Sequence, residues 1–221
     1  MWLHGDLEGG SAAAATGTWL RSETLETLLE LNELSLALVA EQAAARDGPA
    51  SPLLREVGQL WSILDAEARR RAAGCPYLLL DAGFADAARW RWCASPQIGE
   101  AAQAAYAGFF TVPSATEVAR LVFIYAWHLA CAQPSAARLL LGMAPATAAL
   151  IGQLTLRQVQ ALADSRREWL RPRWPARVEV WREVLLAAAA GEGQALESAR
   201  LRGLTLLAGE AWQQPAVVRS S

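Results

Sequence analysis

The segment from residue 157 to residue 182 concentrates arginine and tryptophan, two residue types that suit an anionic surface. It holds seven arginines and three acidic residues, a formal charge of +4 in a chain whose net charge is −2. A guanidinium is permanently charged and offers forked donors that match phosphate and carboxylate groups. Its three tryptophans can stack on a guanidinium or on a base. The residues predicted to contact a partner or a nucleic acid are Arg157, Arg166, Arg167, Arg171, Arg173, Trp174 and Arg177.

Three interpretations of this segment stay open. It is a solvated helical surface whose arginines lie over tryptophans and pair with local acids, a protein-binding surface, or a nucleic-acid-binding surface. The first strong helix carries an acidic stripe of Glu26, Glu30, Glu33 and Glu41. This stripe is either a solvated face or a receiver for the arginines, within the chain or across a dimer.

Other residues with chemical potential favour structural roles. His128 and Cys131 lie three positions apart on one helix, but only His4 could add a further histidine ligand, so no metal site is expected. Asp86 is better explained as a helix cap than as half of a carboxylate pair with Asp81. No phosphate loop or nucleophile elbow is found. We therefore expect no cofactor and no catalytic residues, with an uncharacterised enzyme as a remote alternative.

The composition excludes several classes of protein. The chain has 221 residues, of which 53% are hydrophobic and 19% are charged, and all twenty of its basic residues are arginines. A disordered chain would be less apolar, and a disulfide scaffold would carry more than three cysteines. A sequence pI near 5.8 argues against a generally basic nucleic-acid binder. The missing lysine is most simply a codon bias of a GC-rich genome.

The termini and cysteines predict a cytoplasmic protein of bacterial type. Residues 1–20 have acidic residues early and no arginine, unlike a secretory signal, and are expected to form a loose arm. The most apolar stretch, residues 121–132, is too short to span a membrane and contains His128. Cys75, Cys93 and Cys131 are widely spaced, which predicts reduced, mostly buried thiols.

The hydrophobic periodicity predicts an all-α fold of about eight to ten helices. Pro52 begins a helix expected to continue to Gly74, and residues 75–85 stay undecided between a short helix and an extended segment. Ser114 and Glu117 predict a capping box that opens a central, buried helix. Further helices are expected over residues 22–45, 86–93, 100–110, 135–142, 144–153, 155–169, 176–190 and 194–210.

Two stretches of the chain look alike at an offset of about 92 positions. Gly58-Gln59-Leu60 matches Gly152-Gln153-Leu154, and Trp90-Arg91 matches Trp181-Arg182. This predicts an internal duplication with halves at residues 21–112 and 113–213, followed by a tail at 214–221. Chance matches in a chain rich in Ala, Leu and Arg are the alternative.

The stretch 124–174, and most clearly residues 138–174, resembles the FlhD family, the small helical subunit of the bacterial flagellar master regulator. In that family the corresponding pattern begins with Arg-Leu-Gly-Ile, continues with Leu-Thr-Leu-x-Gln and Leu-Ala-Glu-Thr, and ends with Arg-Phe. The matching residues are Leu140-Leu141-Gly142-Met143, Ala148, Leu154-Thr155-Leu156-Arg157-Gln158-Val159, Leu162-Ala163-Asp164-Ser165 and Arg173-Trp174. Leu170 stands where the family commonly has a cysteine, so its interchain disulfide is not carried over.

The resemblance implies a transcription-related regulator that acts inside a protein complex. It implies a helix-turn-helix-like unit at about residues 144–169, with Gly142 ending one helix and Thr155 capping another. We expect a non-enzymatic regulatory protein that binds a protein partner or itself, with DNA as a further candidate partner and no membrane or metal. The alternative is a structural adaptor that does not bind nucleic acid.

Overall fold

The structure, a computed structural model, describes residues 21–45, 51–94 and 108–212. These residues form ten α-helices, one 3₁₀ turn and two short strands, which confirms the all-α prediction. The elements are α1 (Ser22–Ala44), α2 (Pro52–Trp61), α3 (Ala66–Ala73), β1 (Leu80–Asp81), α4 (Ala87–Ala94), α5 (Ser114–Ala132), α6 (Pro134–Leu141), α7 (Pro145–Gly152), α8 (Leu156–Ser165), the 3₁₀ turn (Arg167–Trp169), β2 (Arg171–Pro172), α9 (Val178–Ala190) and α10 (Gly193–Trp212). The predicted arm at 1–20, the tail at 214–221 and most of the helix at 100–110 lie outside the described residues.

Helices α1 and α5 form the centre of the fold. They contact each other, and α5 also packs against α6, α7, α8 and the 3₁₀ turn. Val122 and Leu129 of α5 are fully buried, as the apolar sequence of this helix predicts. One edge of α5 is nevertheless open to solvent, because Leu121 is 40% exposed and His128 is exposed as well.

The helix predicted from Pro52 to Gly74 is in fact two helices. Helix α2 ends at Trp61, and α3 begins at Ala66 after a short break. The Oδ1 atom of Asp65 accepts a hydrogen bond from the Ala68 amide at 2.7 Å, so Asp65 caps α3. The side chain satisfies an amide that a continuous helix would have paired with a carbonyl.

The predicted helix caps have mixed outcomes. Asp86 does cap α4, because its Oδ1 accepts from the amides of Ala88 and Arg89. The capping box at Ser114 is wrong. The Ser114 hydroxyl donates instead to Oε2 of Glu41 at 2.5 Å, and no side chain caps α5. Glu41 of α1 thus engages the hydroxyl that was predicted to bind within the first turn of α5.

Asn32 of α1 holds the non-helical stretch after α3 in place. Its Nδ2 donates to the carbonyls of Ala73, Cys75 and Tyr77, and its Oδ1 accepts from the Leu79 amide at 2.9 Å. Asn32 is fully buried, so these bonds satisfy backbone groups that have no water. The undecided stretch is therefore not helical: it bends at residues 76, 77 and 79 and then leads into β1.

The two strands pair across the proposed halves. They are antiparallel, with Leu80 opposite Pro172 and Asp81 opposite Arg171. Moving 91 positions along the chain takes residue 80 to 171 and residue 81 to 172. The shift therefore places each strand on the other, and their antiparallel pairing gives them a local two-fold axis, as any antiparallel pair has.

The positive-φ residues of the turns after the strands are related by the same offset of 91 positions, whereas the carbonyls that accept from the two indoles are 90 positions apart. Gly83 and Trp174 both have positive φ, at 71° and 51°. The indole of Trp90 donates to the Gly83 carbonyl at 3.0 Å, and the indole of Trp181 donates to the Arg173 carbonyl at 2.7 Å. Each strand thus leads through a similar turn into a helix whose tryptophan holds that turn.

The helices also pack reciprocally. Helix α9 of residues 113–213 packs against α2 and α3 of residues 21–112. In the other direction, α4 packs against α7. The two stretches therefore contact each other through the strands, through α1 and α5, and through these exchanged helices.

Candidate functional site

The helix-turn-helix-like unit consists of α7 and α8, joined by residues 153–155. Thr155 caps α8 as predicted. Its Oγ1 accepts from the Gln158 amide at 3.3 Å, and Oε1 of Gln158 accepts from the Thr155 amide at 2.8 Å, which completes a capping box. The indole of Trp127 donates to the Leu154 carbonyl at 2.8 Å and so attaches the turn to α5. Gly142, with φ of 63°, ends α6 as expected.

Helix α8 buries one face and leaves the other open. Val159 and Ala163 are buried, and the helix packs on α5. Arg157 is exposed in the first turn, next to Leu156, which is 45% exposed. Near the other end, Asp164 accepts from Nε of Arg120 at 2.6 Å. The open face therefore carries a positive charge at one end and an ion pair at the other.

Arg166 and Arg167 come directly after α8. Arg167 is exposed and donates to Oγ1 of Thr116 at 3.2 Å. Arg166 is half-buried, donates to the Ser165 carbonyl and borders an open groove of about 280 Å³ together with Trp90. Nine residues of helix separate Arg157 from Arg166, which is roughly 13 Å. The arginines thus lie at both ends of α8.

Arg171 is exposed, but its charge is paired. Its Nη2 lies 3.0 Å from Oδ2 of Asp81, the residue opposite it in the strand pair. Oδ1 of Asp81 also accepts from the amides of Gly83 and Phe84, which fixes the carboxylate in place. An incoming anion would compete with this held carboxylate for Arg171.

Arg173 lies in the core, which corrects its assignment as a contact residue. Its side chain is only 4% exposed and donates to the carbonyls of Leu78, Leu80 and Leu141 at 2.8, 3.2 and 2.9 Å. Burial lowers the pKa of this guanidinium, and the charge of Asp81 opposes the shift. Arginine stays charged in proteins even so. Arg173 therefore joins the β1 region to the end of α6 and does not face a partner.

Trp174 is also buried, so it too leaves the set of contact residues. It is 8% exposed and packs edge-on against Tyr77 at a centroid distance of 5.4 Å. Its indole donates to Oε1 of Glu210 at 2.7 Å. Both partners come from other parts of the fold, and they give Trp174 a packing role.

The remaining arginines of the segment divide into two kinds. Arg177 is exposed immediately before α9. Arg182, in contrast, pairs with Glu56 of α2 at 2.5 Å, and the hydrogen bond from Arg182 lowers the pKa of this carboxyl. The sequence predicted one charged surface over the whole segment. Of the predicted contact residues, Arg157, Arg167 and Arg177 are exposed and Arg166 is half-buried. Arg157, Arg166 and Arg167 lie at the two ends of α8, whereas Arg177 precedes α9.

No family model matches the chain, and no curated protein or solved structure matches it. Its function is therefore inferred from the residues and from where the fold places them.

The structure also places the described metal-ligating side chains, the apolar helices and two of the cysteines. Within residues 21–45, 51–94 and 108–212, no group of three or more metal-ligating side chains comes together. The helices of those ranges do not combine the length and hydropathy needed to cross a membrane. Cys75 is buried as expected, but Cys131 is exposed, which corrects the prediction for that thiol. The side chain of Cys93 lies outside the described part.

The sequence missed one surface, an open groove between α1 and α5 that is bordered by exposed leucines. Leu34 of α1 and Leu121 of α5 are both 40% exposed and line it. The acidic stripe on α1 was its only signal. Within the described ranges none of the ion pairs uses a glutamate of α1, so the arginine segment does not occupy that stripe there.

Proposed function

We propose that the chain is a regulatory interaction protein of the cytoplasm, transcription-related and non-enzymatic, whose arginines around α8 bind duplex DNA. The observation that carries the proposal is the placement of four arginines at the helix-turn-helix-like unit and the start of α9. Arg157, Arg167 and Arg177 are exposed, and Arg166 is half-buried beside a groove. Forked guanidinium donors on a helical surface suit phosphate oxygens.

The resemblance to the FlhD family supports the same function. Its clearest motif, Leu154-Thr155-Leu156-Arg157-Gln158, forms the turn and the capped start of α8. The family acts inside a protein complex, and we extend this to the present chain as a protein partner or self-association. Leu156 is 45% exposed beside Arg157 and gives such a partner an apolar contact.

The second candidate function is a structural adaptor without nucleic-acid contact. It is favoured by the loss of Arg173 and Trp174 from the surface and by the pairing of Arg171 with Asp81. These three residues would have been central to a continuous basic patch. The smaller remaining set suits an acidic protein surface as well as DNA.

We also propose that the chain arose by tandem duplication of a unit of roughly 90 residues, with halves at 21–112 and 113–213. The matched positions of the two strands, the matched positive-φ turns and the reciprocal helix packing support this.

Binding to a labelled duplex of random sequence, measured by fluorescence anisotropy over a range of salt concentrations, tests the DNA proposal. We expect affinity to fall steeply with salt, because each neutralised phosphate releases counterions. Changing Arg157, Arg166, Arg167 and Arg177 together to Gln should abolish binding at physiological salt. It should lower the slope of log K against log salt by up to about four.

The matched control removes the same charge from elsewhere. Arg21, Arg55, Arg70 and Arg138 are also exposed, and changing them together to Gln should leave most of the affinity intact. If the two variants lose DNA affinity equally, the net charge of the chain alone explains the binding. If the wild-type chain does not bind DNA even at low salt, the DNA proposal fails and the adaptor is favoured.

A further inference from the structure

The groove between α1 and α5 is distinct from the arginine surface and has its own chemistry. It opens at the surface with a volume of about 450 Å³. Its apolar walls come from both helices, with Leu31 and Leu34 on α1 and Leu121 and Ile124 on α5. Soluble proteins expose single leucines routinely, whereas exposed leucines that share one concave site offer a ligand a common apolar surface.

The charge of the groove is negative on the α1 side. Glu23 and Glu30 line it directly, and Arg21 is the arginine among its described lining residues. Helix α1 carries five glutamates and no basic residue. As the ion pairs of the described ranges leave these glutamates out, their charge stays available to a ligand. Glu41 is engaged otherwise, by the hydroxyl of Ser114.

The length of the groove suits a helical ligand. Its lining on α1 runs from Glu23 to Leu34, which corresponds to roughly 16 Å, or three turns of helix. On α5 it runs from Leu121 to His128. An apolar floor with an acidic rim on one side complements an amphipathic helix whose apolar face is flanked by basic residues.

We propose that this groove binds a basic amphipathic helix of a partner protein. The leucines of α1 and α5 receive its apolar face, and Glu23 and Glu30 pair with its arginines or lysines. The negative charge disfavours DNA and anionic lipid at this site, since both would be repelled. The chain would then hold a protein partner in the groove, on a surface separate from the arginines of α8.

The test uses the full chain and a fluorescein-labelled model peptide of about 14 residues, with leucines at helical spacing and arginines beside them. A second peptide replaces every arginine with glutamate. The Leu34→Ser, Leu121→Ser pair removes the apolar contact, and the Glu23→Gln, Glu30→Gln pair removes the charge. Each should weaken binding of the arginine peptide at least about tenfold.

Matched controls change leucines and glutamates that are exposed elsewhere. Leu186 and Leu201 are 43% and 61% exposed, and Glu179 and Glu192 are also exposed. The Leu186→Ser, Leu201→Ser pair and the Glu179→Gln, Glu192→Gln pair should change affinity by less than about twofold. Circular dichroism checks that all variants fold.

Several results would overturn the proposal. These are no binding of the arginine peptide, equal binding of the glutamate peptide, or equal losses in the groove and control variants. A wild-type dimer in sedimentation that dissociates in the Leu34→Ser, Leu121→Ser variant would make a second copy of the chain the occupant. If a variant lacking residues 1–20 binds the arginine peptide at least about tenfold more tightly than the wild type does, that segment is the occupant of the groove.

Discussion

Gly83 and Trp174 adopt the same left-handed backbone conformation at positions related by the 91-residue offset, with φ of 71° and 51°. Glycine does so without steric cost, whereas a bulky residue with positive φ is an outlier. Trp174 is held by the ring of Tyr77 and by the carboxylate of Glu210. The residue type permits the turn at Gly83, whereas at Trp174 the contacts made by the rest of the fold impose it.

The Gly83 turn should not tolerate a side chain. A Cβ at this position would lie 3.0 Å from Nη1 of Arg89, and the positive φ adds its own strain. We expect Gly83→Ala to lower the free energy of unfolding by about 1–2 kcal/mol. Urea denaturation measures the effect.

Gly209→Ala is the matched control for that substitution. Gly209 lies within α10, and a Cβ there meets nothing within 4 Å. Alanine in a helix is favoured over glycine, so this variant should be unchanged or more stable by up to about 1 kcal/mol. Equal destabilisation of the two variants would contradict the assignment of strain to Gly83.

Arg173 should contribute to the free energy of unfolding, whereas Arg177 should contribute little. Arg173→Ala would leave the carbonyls of Leu78, Leu80 and Leu141 without their donors in a buried site. The expected loss of stability is at least about 3 kcal/mol. Arg177→Ala, at an exposed position, should cost less than about 0.5 kcal/mol. Similar unfolding midpoints for the two variants would show that Arg173 is not a structural residue.

Asp81 should contribute more to stability than Arg171, although the two form one ion pair. Arg171 is half exposed, so Arg171→Ala should cost less than about 1 kcal/mol. Asp81→Ala also removes the acceptor for the amides of Gly83 and Phe84 and should cost about 2 kcal/mol. Thermal unfolding of the two variants and of their double mutant separates these contributions. Equal costs would assign all of the stability to the ion pair.

Burial of Cys75 should make the protein less stable at alkaline pH. Loss of solvation raises the pKa of its thiol to about 11, above the value of about 8.5 expected in an unfolded chain. The native state then keeps a proton that the unfolded state releases. Stability is fully present below about pH 8 and is lost as the pH rises through 11, by up to about 1.4 kcal/mol per pH unit.

Urea midpoints between pH 7 and pH 10.5 measure this dependence. Cys75→Ala should have a shallower slope than the wild type over this range, although it is less stable at neutral pH because of the cavity it creates. Cys131→Ala removes an exposed thiol and serves as the control. A slope that Cys75→Ala does not change would assign the alkaline loss to other groups, such as Tyr77, whose pKa burial also raises.

The reciprocal packing predicts that the two halves can assemble as separate chains. Fragments 1–112 and 113–221, when co-expressed, should form a 1:1 complex with the circular dichroism spectrum of the intact protein. Each fragment alone would expose the surfaces through which α2 packs on α9 and α4 packs on α7. Sedimentation and co-purification measure the outcome. Two independently folded fragments that do not associate would contradict it.

Local signals in the sequence predicted those features whose partners lie within a few residues. Gly142 ends α6, Asp86 caps α4, and Thr155 caps α8. At Ser114 the same kind of signal failed, because Glu41 of another helix takes the hydroxyl. A cap is predictable only where no tertiary partner competes for the side chain.

The sequence by itself determined the all-α class, most helices and the concentration of arginine between residues 157 and 182. It did so because hydrophobic periodicity and capping act over single turns. Only the tertiary structure decided which arginines are available. The side-chain acceptors of Arg171 and Arg182 lie 90 and 126 positions away, and those of Arg173 lie 32 to 95 positions away. From the sequence, an arginine is expected at the surface. Hydrogen bonds to residues so far along the chain form only when the helices assemble, so the sequence does not reveal them.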